Sequence, residues 1–178
     1  DKYINAYVNL GNLKRDLNEF DEAIKLYKKA LSLSKNNPII YYSLGLAMQG
    51  LGNFEESIIF SKKALNIDAS FTRADHLISQ STKYDKKNSH YLELKKKLNE
   101  LELKNYEKVD LYFALAKAEE DIGNIKESVK FLIEGNKIKK DLINYKVNSE
   151  LNLFLRDSYR SNLLFYFADF QYLFLYYL

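Results

Sequence analysis

Two stretches of this chain lie over each other without a gap. Residues 4–37 read INAYVNLGNLKRDLNEFDEAIKLYKKALSLSKNN and residues 38–71 read PIIYYSLGLAMQGLGNFEESIIFSKKALNIDASF. Tyr7 meets Tyr41, Leu10-Gly11 meets Leu44-Gly45, Leu17 meets Leu51 and Phe20 meets Phe54. Glu22 then meets Glu56, and Lys28-Lys29-Ala30-Leu31 meets Lys62-Lys63-Ala64-Leu65. A 34-residue period is a severe constraint. A unit of that length holds one helical hairpin, cannot bury both faces of that hairpin alone, and must therefore stack on its neighbours.

Each unit splits into two amphipathic stretches with apolar residues at i, i+3, i+4 and i+7. Gly11 and Gly45 in the first helix, with Ala30 and Ala64 in the second, allow close approach. Tyr7, Tyr41, Phe20 and Phe54 are expected to fill the remaining space. Asn37-Pro38 reads as an N-cap followed by the first helical residue, and Asn53 with Glu56 as a capping box. A third clear unit spans 109–142, where Tyr112, Leu115-Ala116, Ile122-Gly123-Asn124-Ile125 and Glu127-Ser128 repeat the pattern, with Asn124 and Glu127 as another capping box. Residues 72–108 exceed the period by three residues and lack the Leu-Gly pair. They are expected to form a degenerate pair of helices over 71–83 and 89–103, with 84–88 as the loop.

One proline and six glycines leave little punctuation for a β fold, so the expected class is all-α. The formal charge of +3 comes from 27 basic and 24 acidic side chains spread along the chain, which gives no nucleic-acid footprint. Lys95-Lys96-Lys97, flanked by Glu93 and Glu100, reads as a solvated helix face. The absence of cysteine removes thiol catalysis and zinc–thiolate sites and fits a reducing, cytoplasmic setting. The chain begins at Asp1 without a signal-like segment, and is expected to be a piece of a longer protein.

The aromatic, Leu-Gly, aromatic, Glu-Ala and late Ala positions resemble the tetratricopeptide repeat (TPR). Unit one supplies Tyr7, Leu10-Gly11, Phe20, Glu22-Ala23, Tyr27 and Ala30. Unit two departs at Ser57 and Ser61, where alanine and an aromatic are usual, and at Ala69, where proline is common. The resemblance implies a TPR helix–turn–helix solenoid, a right-handed superhelix over 1–142, with units 4–37, 38–71, degenerate 72–108 and 109–142. A C-terminal helical extension over 143–178 follows. It also implies a concave groove lined by the first helix of each unit: Asn5, Val8, Asn12 and Arg15; Ile39, Tyr42, Leu46 and Gln49; Arg73, His76, Gln80 and Lys83; Asp110, Phe113, Lys117 and Glu120. The expected ligand is an extended peptide or protein segment with an apolar anchor beside acidic groups. The carboxylate clamp of chaperone-binding TPR domains is mostly missing. Asn12 and Arg73 occupy two clamp positions, but Val8, Ser43 and Leu77 occupy the others.

The stretch from Ala74 to Lys146 further resembles bacterial proteins that join TPR units to a sulfotransferase domain. The resemblance is carried by Ala74-Asp75-His76-Leu77-Ile78-Ser79, by Phe113-Ala114-Leu115-Ala116-Lys117-Ala118-Glu119-Glu120-Asp121, and by Glu134-Gly135-Asn136 with Lys139-Lys140. It implies an accessory region of an enzyme that moves a sulfuryl group from 3′-phosphoadenylyl sulfate. A glycine-containing phosphate loop, which that chemistry needs, is not among these residues, and no glycine follows Gly135. The chain itself is therefore expected to be a non-catalytic interaction scaffold without a cofactor.

His76 and His90 fall on different expected helices and lack metal-ligand spacing, so they read as surface or groove histidines and no metal is expected. Glu119-Glu120-Asp121 points three ways on a helix and reads as a solvated helix end. Residues 163–178 contain eight Phe or Tyr in sixteen residues. They admit three readings: a cap on the last repeat, a membrane anchor that would make the chain a small anchored TPR adaptor, or a non-native continuation. The run is shorter than the about 20 residues a spanning helix needs, and Asp169 within it adds a penalty, so the cap is preferred.

Overall fold

The computed structural model describes the backbone of residues 2–158 and the side chains of residues 3–143. The described residues form helices joined by turns, with no strand among them. These are α1 (Lys2–Asp16), α2 (Phe20–Leu33), α3 (Pro38–Gly50), α4 (Phe54–Ile67), α5 (Thr72–Gln80), α6 (Ser89–Glu100), α7 (Asn105–Ile122) and α8 (Ile125–Ser158). The chain divides into two compact units, residues 1–139 and 140–178. The described backbone of the second, up to Ser158, is helical, and the aromatic segment 163–178 lies outside the described residues.

The turns inside the hairpins show why the period holds. Among the described residues three have positive φ: Asn18 at 60°, Gly52 at 77° and Gly123 at 87°. All three occupy the same position in their units. Around each, the chain closes with the same two bonds. Asn18 N donates to Arg15 O and Glu19 N to Lys14 O; Gly52 N to Gln49 O and Asn53 N to Met48 O; Gly123 N to Glu120 O and Asn124 N to Glu119 O. This Schellman arrangement satisfies the last carbonyls of the first helix and needs a left-handed residue, which glycine and asparagine tolerate best.

The helix starts follow expectation at α3 and differ from it at the second helices α4 and α8. Asn37 caps α3, its side chain accepting from Ile39 N at 3.0 Å with Pro38 behind it. Asn53 makes no side-chain cap bond at α4. At α8 the Asn124 amide instead donates to Glu119 Oε2 at 2.7 Å. The expected capping boxes with Glu56 and Glu127 are thus replaced by the turn's own backbone bonds, which already orient the chain. The reaching-back carboxylate of such a box occurs at α7, where Lys104 N donates to Glu107 Oε2 at 2.7 Å.

One core joins the first two hairpins: Val8, Ala23, Ile24, Tyr27, Ala30, Ile40, Leu44, Ala47 and Met48. A Cβ on Gly11 would stand 2.5 Å from Tyr27 Cε1, so the glycine is what admits the ring. In unit two the ring is absent. Ser61 stands in Tyr27's place, and Leu77 from α5 comes down on Gly45 to within 3.1 Å of where its Cβ would be. Ser57 and Ser61 are fully buried and neither hydroxyl has a partner. Phe20 packs on Gly50 at the end of α3. Its counterpart Phe54, expected to fill space, is half exposed. The reason is that α5 stops at Gln80, short of the position equivalent to Gly50.

The irregular unit also differs in arrangement. Residues 81–83 and 101–103 are not helical, so the loop between α5 and α6 runs from Ser81 to Asn88. Thr82 Oγ1 donates back to Ile78 O at 2.8 Å and closes α5 early. α5 then packs closely along α7. Thr72 bonds Asp110, Thr82 O receives Lys117, and Tyr84 N reaches Asp121, so partners advance together and the two helices run parallel. A second core of Tyr84, Tyr91, Leu94, Leu103, Leu111, Ala114, Leu115 and Ala118 fills this region.

A buried hydroxyl without a partner costs about 1–3 kcal/mol. Ser57→Ala should therefore raise unfolding stability by about 1 kcal/mol in urea titration. An unchanged or lowered midpoint would mean that the hydroxyl is satisfied in solution.

Candidate peptide-binding groove

The first helices α1, α3, α5 and α7 bring part of the expected groove set together. Tyr42 on α3 stacks edge-on against Phe71, ring centroids 5.5 Å apart. Burial raises its hydroxyl pKa, which Arg73 and Arg15 oppose and Asp110 assists, so cations from α1 and α5 and an anion from α7 all act on one phenol. His76 lies with its ring 6.1 Å from Phe113. Burial lowers its pKa, Asp110 opposes this, and Lys139 adds to it. Lys139 Nζ stands 5.7 Å from the Phe113 ring centroid. Asp110 accepts from Thr72 Oγ1 at 3.0 Å, and its pKa is raised by burial. The result is two aromatic pairs, Tyr42 with Phe71 and His76 with Phe113, with Lys139 beside the second and the charges of Arg15 and Arg73 acting on Tyr42.

Other expected positions are placed differently. Val8 is buried in the core beneath α2 and α3 and is not available to a ligand. Asn12 accepts from Tyr27 OH at 2.8 Å, and Arg15 pairs with Asp16 at 2.9 Å. Asn5, Ile39, Arg73 and Gln80 are exposed, and Leu46 is half-buried. Gln49 donates to Gln80 and Ser81 at 3.3 and 3.4 Å. Lys83 pairs with Asp121 at 2.9 Å, and Lys117 bonds both Thr82 O and Asp121. These last two cations are committed to the protein. Ser43 and Leu77 are buried, so the clamp positions they occupy are core positions. Lys139, which lies on a second helix, and Phe71 were not legible from the positions of first helices alone.

Beside the groove, α5, α6 and α7 are tied by polar groups that the sequence reading placed on the surface. Asp75 is fully buried and accepts from Lys97 Nζ with both oxygens at 2.8 Å. It also faces His90 Nε2 at 3.1 Å. A carboxylate can only accept, so Nε2 carries the hydrogen and Nδ1 accepts from Tyr84 OH at 2.7 Å. Glu119, buried, accepts from Tyr91 OH and Asn124 at 2.7 Å each, and pairs with Lys95 at 3.0 Å. His90 is therefore neither a surface nor a groove histidine. Of the Lys95-Lys96-Lys97 run only Lys96 pairs with a surface carboxylate, Glu100 at 3.7 Å, while Lys95 and Lys97 reach buried ones. Glu119 and Asp121 are not a solvated helix end. They lie inward because the loop 81–88 and α6 fold over α7.

The Asp75–His90–Tyr84 line has the order of a proton relay, but all three groups are buried and Lys97 neutralises the carboxylate. Burial also pushes the Tyr84 phenol well above its ordinary value. The group that would have to react has no access to substrate, so the geometry serves as a clamp. Among the described residues no cluster of His, Asp and Glu has the make-up of a metal site.

Residues 11–52 match a family model described as a TPR repeat, and residues 39–71 match one described as a tetratricopeptide repeat. A solved structure of MamA superposes with TM-score 0.59 at 18% identity, covering 82% of this chain and 84% of that one. A second MamA structure gives 0.55 at 17% identity, covering 80% and 76%. The first TPR of Spaghetti (RPAP3), solved with an HSP90 peptide, gives 0.47 at 19% identity over 80% and 97%, too loose a likeness to bear on ligands. No curated protein sequence gives a significant match. The fold is an all-helical solenoid of tetratricopeptide-repeat type, and the matched repeats end at 71, where the irregular unit begins. No described helix is long and apolar enough to cross a membrane.

Two outcomes check the clamp. Asp75→Ala leaves Lys97 and His90 without their buried partner and should cost about 3–5 kcal/mol in chemical denaturation. Burial would raise Asp121, but bonds from Lys117, Lys83 and Tyr84 N outweigh it and hold its pKa at about 2. A depressed folded pKa stabilises above the unfolded value, here 3.8, and that stability is lost as pH falls towards 2. Denaturation midpoints measured from pH 4 to 2 should fall less steeply for Asp121→Asn than for the parent. Equal slopes would remove Asp121 from the account.

Proposed function

We propose that the chain is a protein-interaction scaffold whose first-helix face binds an extended acidic peptide carrying one apolar anchor. The supporting observation is a pair of half-buried aromatic contacts on the first helices, Tyr42 edge-on against Phe71 and His76 tilted against Phe113, with Arg73 exposed on the helix that carries His76. Aromatic faces give the anchor a desolvated seat, and Arg73, exposed and without an internal ion pair among the described residues, supplies a bidentate carboxylate contact. Asn5, Ile39, Leu46, Gln49 and Gln80 would extend the contact along the peptide. A reducing, cytoplasmic setting rests on the cysteine-free sequence.

The resemblance of 74–146 to TPR–sulfotransferase proteins supports a narrower reading: an accessory region that presents a substrate or partner to such an enzyme. Much of that resemblance is carried by Asp75, Glu119 and Asp121, which belong to the buried clamp. A coding sequence that continues beyond Leu178 into a glycine-containing phosphate loop would support this reading, and an immediate stop would remove it.

The groove reading is tested by fluorescence anisotropy with an acidic peptide library carrying a single Leu, Phe or Ile. Arg73→Glu should weaken the best binder at least tenfold, about 1.4 kcal/mol, and Tyr42→Ala should do the same while circular dichroism shows the chain still helical. Parent-like binding by both variants would place the ligand elsewhere.

A further inference from the structure

We infer, on the groove reading above, that His76 is a proton-linked contact: its ring takes up a proton when an acidic peptide binds, so affinity rises as pH falls below neutral. His76 follows Arg73 by three residues on α5, and residues so spaced share one helix face. A carboxylate held by the exposed Arg73 guanidinium therefore lies beside the imidazole. That ring is tilted against Phe113, and Lys139 Nζ stands 5.7 Å from the same phenyl centroid.

The free chain disfavours a charge on this ring at neutral pH. Gln80 Nε2 stands 3.5 Å from His76 Nε2, and an amide nitrogen can only donate, so Nε2 accepts and the ring's hydrogen is on Nδ1. Burial holds the pKa of His76 below its ordinary value; Asp110 on α7 opposes this, and Lys139 on α8 adds to it. Asp110 is itself bound by Thr72 and acted on by Arg73. Other nearby charges are engaged elsewhere, Asp75 with Lys97 and His90, and Lys117 with Thr82 O and Asp121. From α3 come Tyr42, whose raised pKa keeps its phenol uncharged, and Gln49, which donates to Gln80 Oε1 at 3.3 Å.

A peptide carboxylate at Arg73 changes this balance. It sets a second anion beside the ring and favours the imidazolium. The proton comes from solvent to Nε2, which then donates, and the Gln80 amide yields its place to the carboxylate. Binding thus raises the pKa of His76 above its value in the free chain. The added affinity is fully present below the free-chain value and is lost as pH rises through the bound one.

The test is fluorescence anisotropy of the 178-residue chain with a fluorescein-labelled glutamate-rich peptide carrying one leucine, from pH 8 to 5.5, where glutamates stay ionised. Kd should fall about threefold or more across that range. His76→Gln keeps Asp110, His90 and the peptide's carboxylates, so it should lose most of this slope and retain only theirs. Equal slopes overturn the inference. Should the variant fail to fold, calorimetry of the parent at pH 6.5 in two buffers of different ionisation enthalpy reads proton uptake directly, and zero uptake overturns it. Binding that depends on Arg73 but not on pH removes this inference and leaves the groove reading. No binding at any pH, or equal binding by Arg73→Glu, removes both.

Discussion

The close contact of the two helices in each hairpin is what the rest of the structure depends on. Gly11 has no room for a methyl group against Tyr27, and Ala23 and Ala30 are wholly buried along the same seam. Small residues bring the backbones together, and a ring set into the gap then gains dispersion contacts on both sides. Because the seam recurs every 34 residues, the same outer face is presented by each hairpin to the next, and a solenoid follows.

Where the pattern weakens, the molecule changes its means of cohesion. Unit two loses the ring, carries two buried hydroxyls without partners, and relies on Leu77 from the following helix. In the next unit, charges take over. Asp75, His90, Tyr84 and Lys97 bind α6 to α5, while Glu119 with Tyr91 and Lys95 binds it to α7. Such groups are costly to bury and tolerate little rearrangement, so they fix one geometry where apolar packing alone would permit several. The helices carrying Arg73, His76 and Phe113 are thereby held in a defined register beside Tyr42. On this view the clamp positions the candidate groove without touching its ligand.

The fold was legible because its cause is periodic. Gly11, Gly45, Ala30 and Ala64 sit at buried or close-contact positions, and the turn residue recurs as Asn18, Gly52 and Gly123. The clamp was not legible, because Lys95, Lys97, Glu119 and Asp121 look like surface charges when only their own helices are considered. Their pairing comes from the loop 81–88 and α6 folding across α7, a long-range event with no local pattern. Val8 was misplaced for a related reason. Its position in the unit faces the concave side, but at α1 the neighbouring α2 and α3 close over it. The half exposure of Phe54 likewise depends on where α5 ends, which Thr82 decides.

Native-state hydrogen exchange tests the central claim, that each hairpin is held by the neighbours stacked on its two faces. Amides of α3 and α7, covered by described helices on the face that α1 leaves open, should exchange slowest, at rates near the global unfolding limit. Amides of α1 should exchange markedly faster. Equal protection of α1 and α3 would contradict a stack stabilised by nearest neighbours.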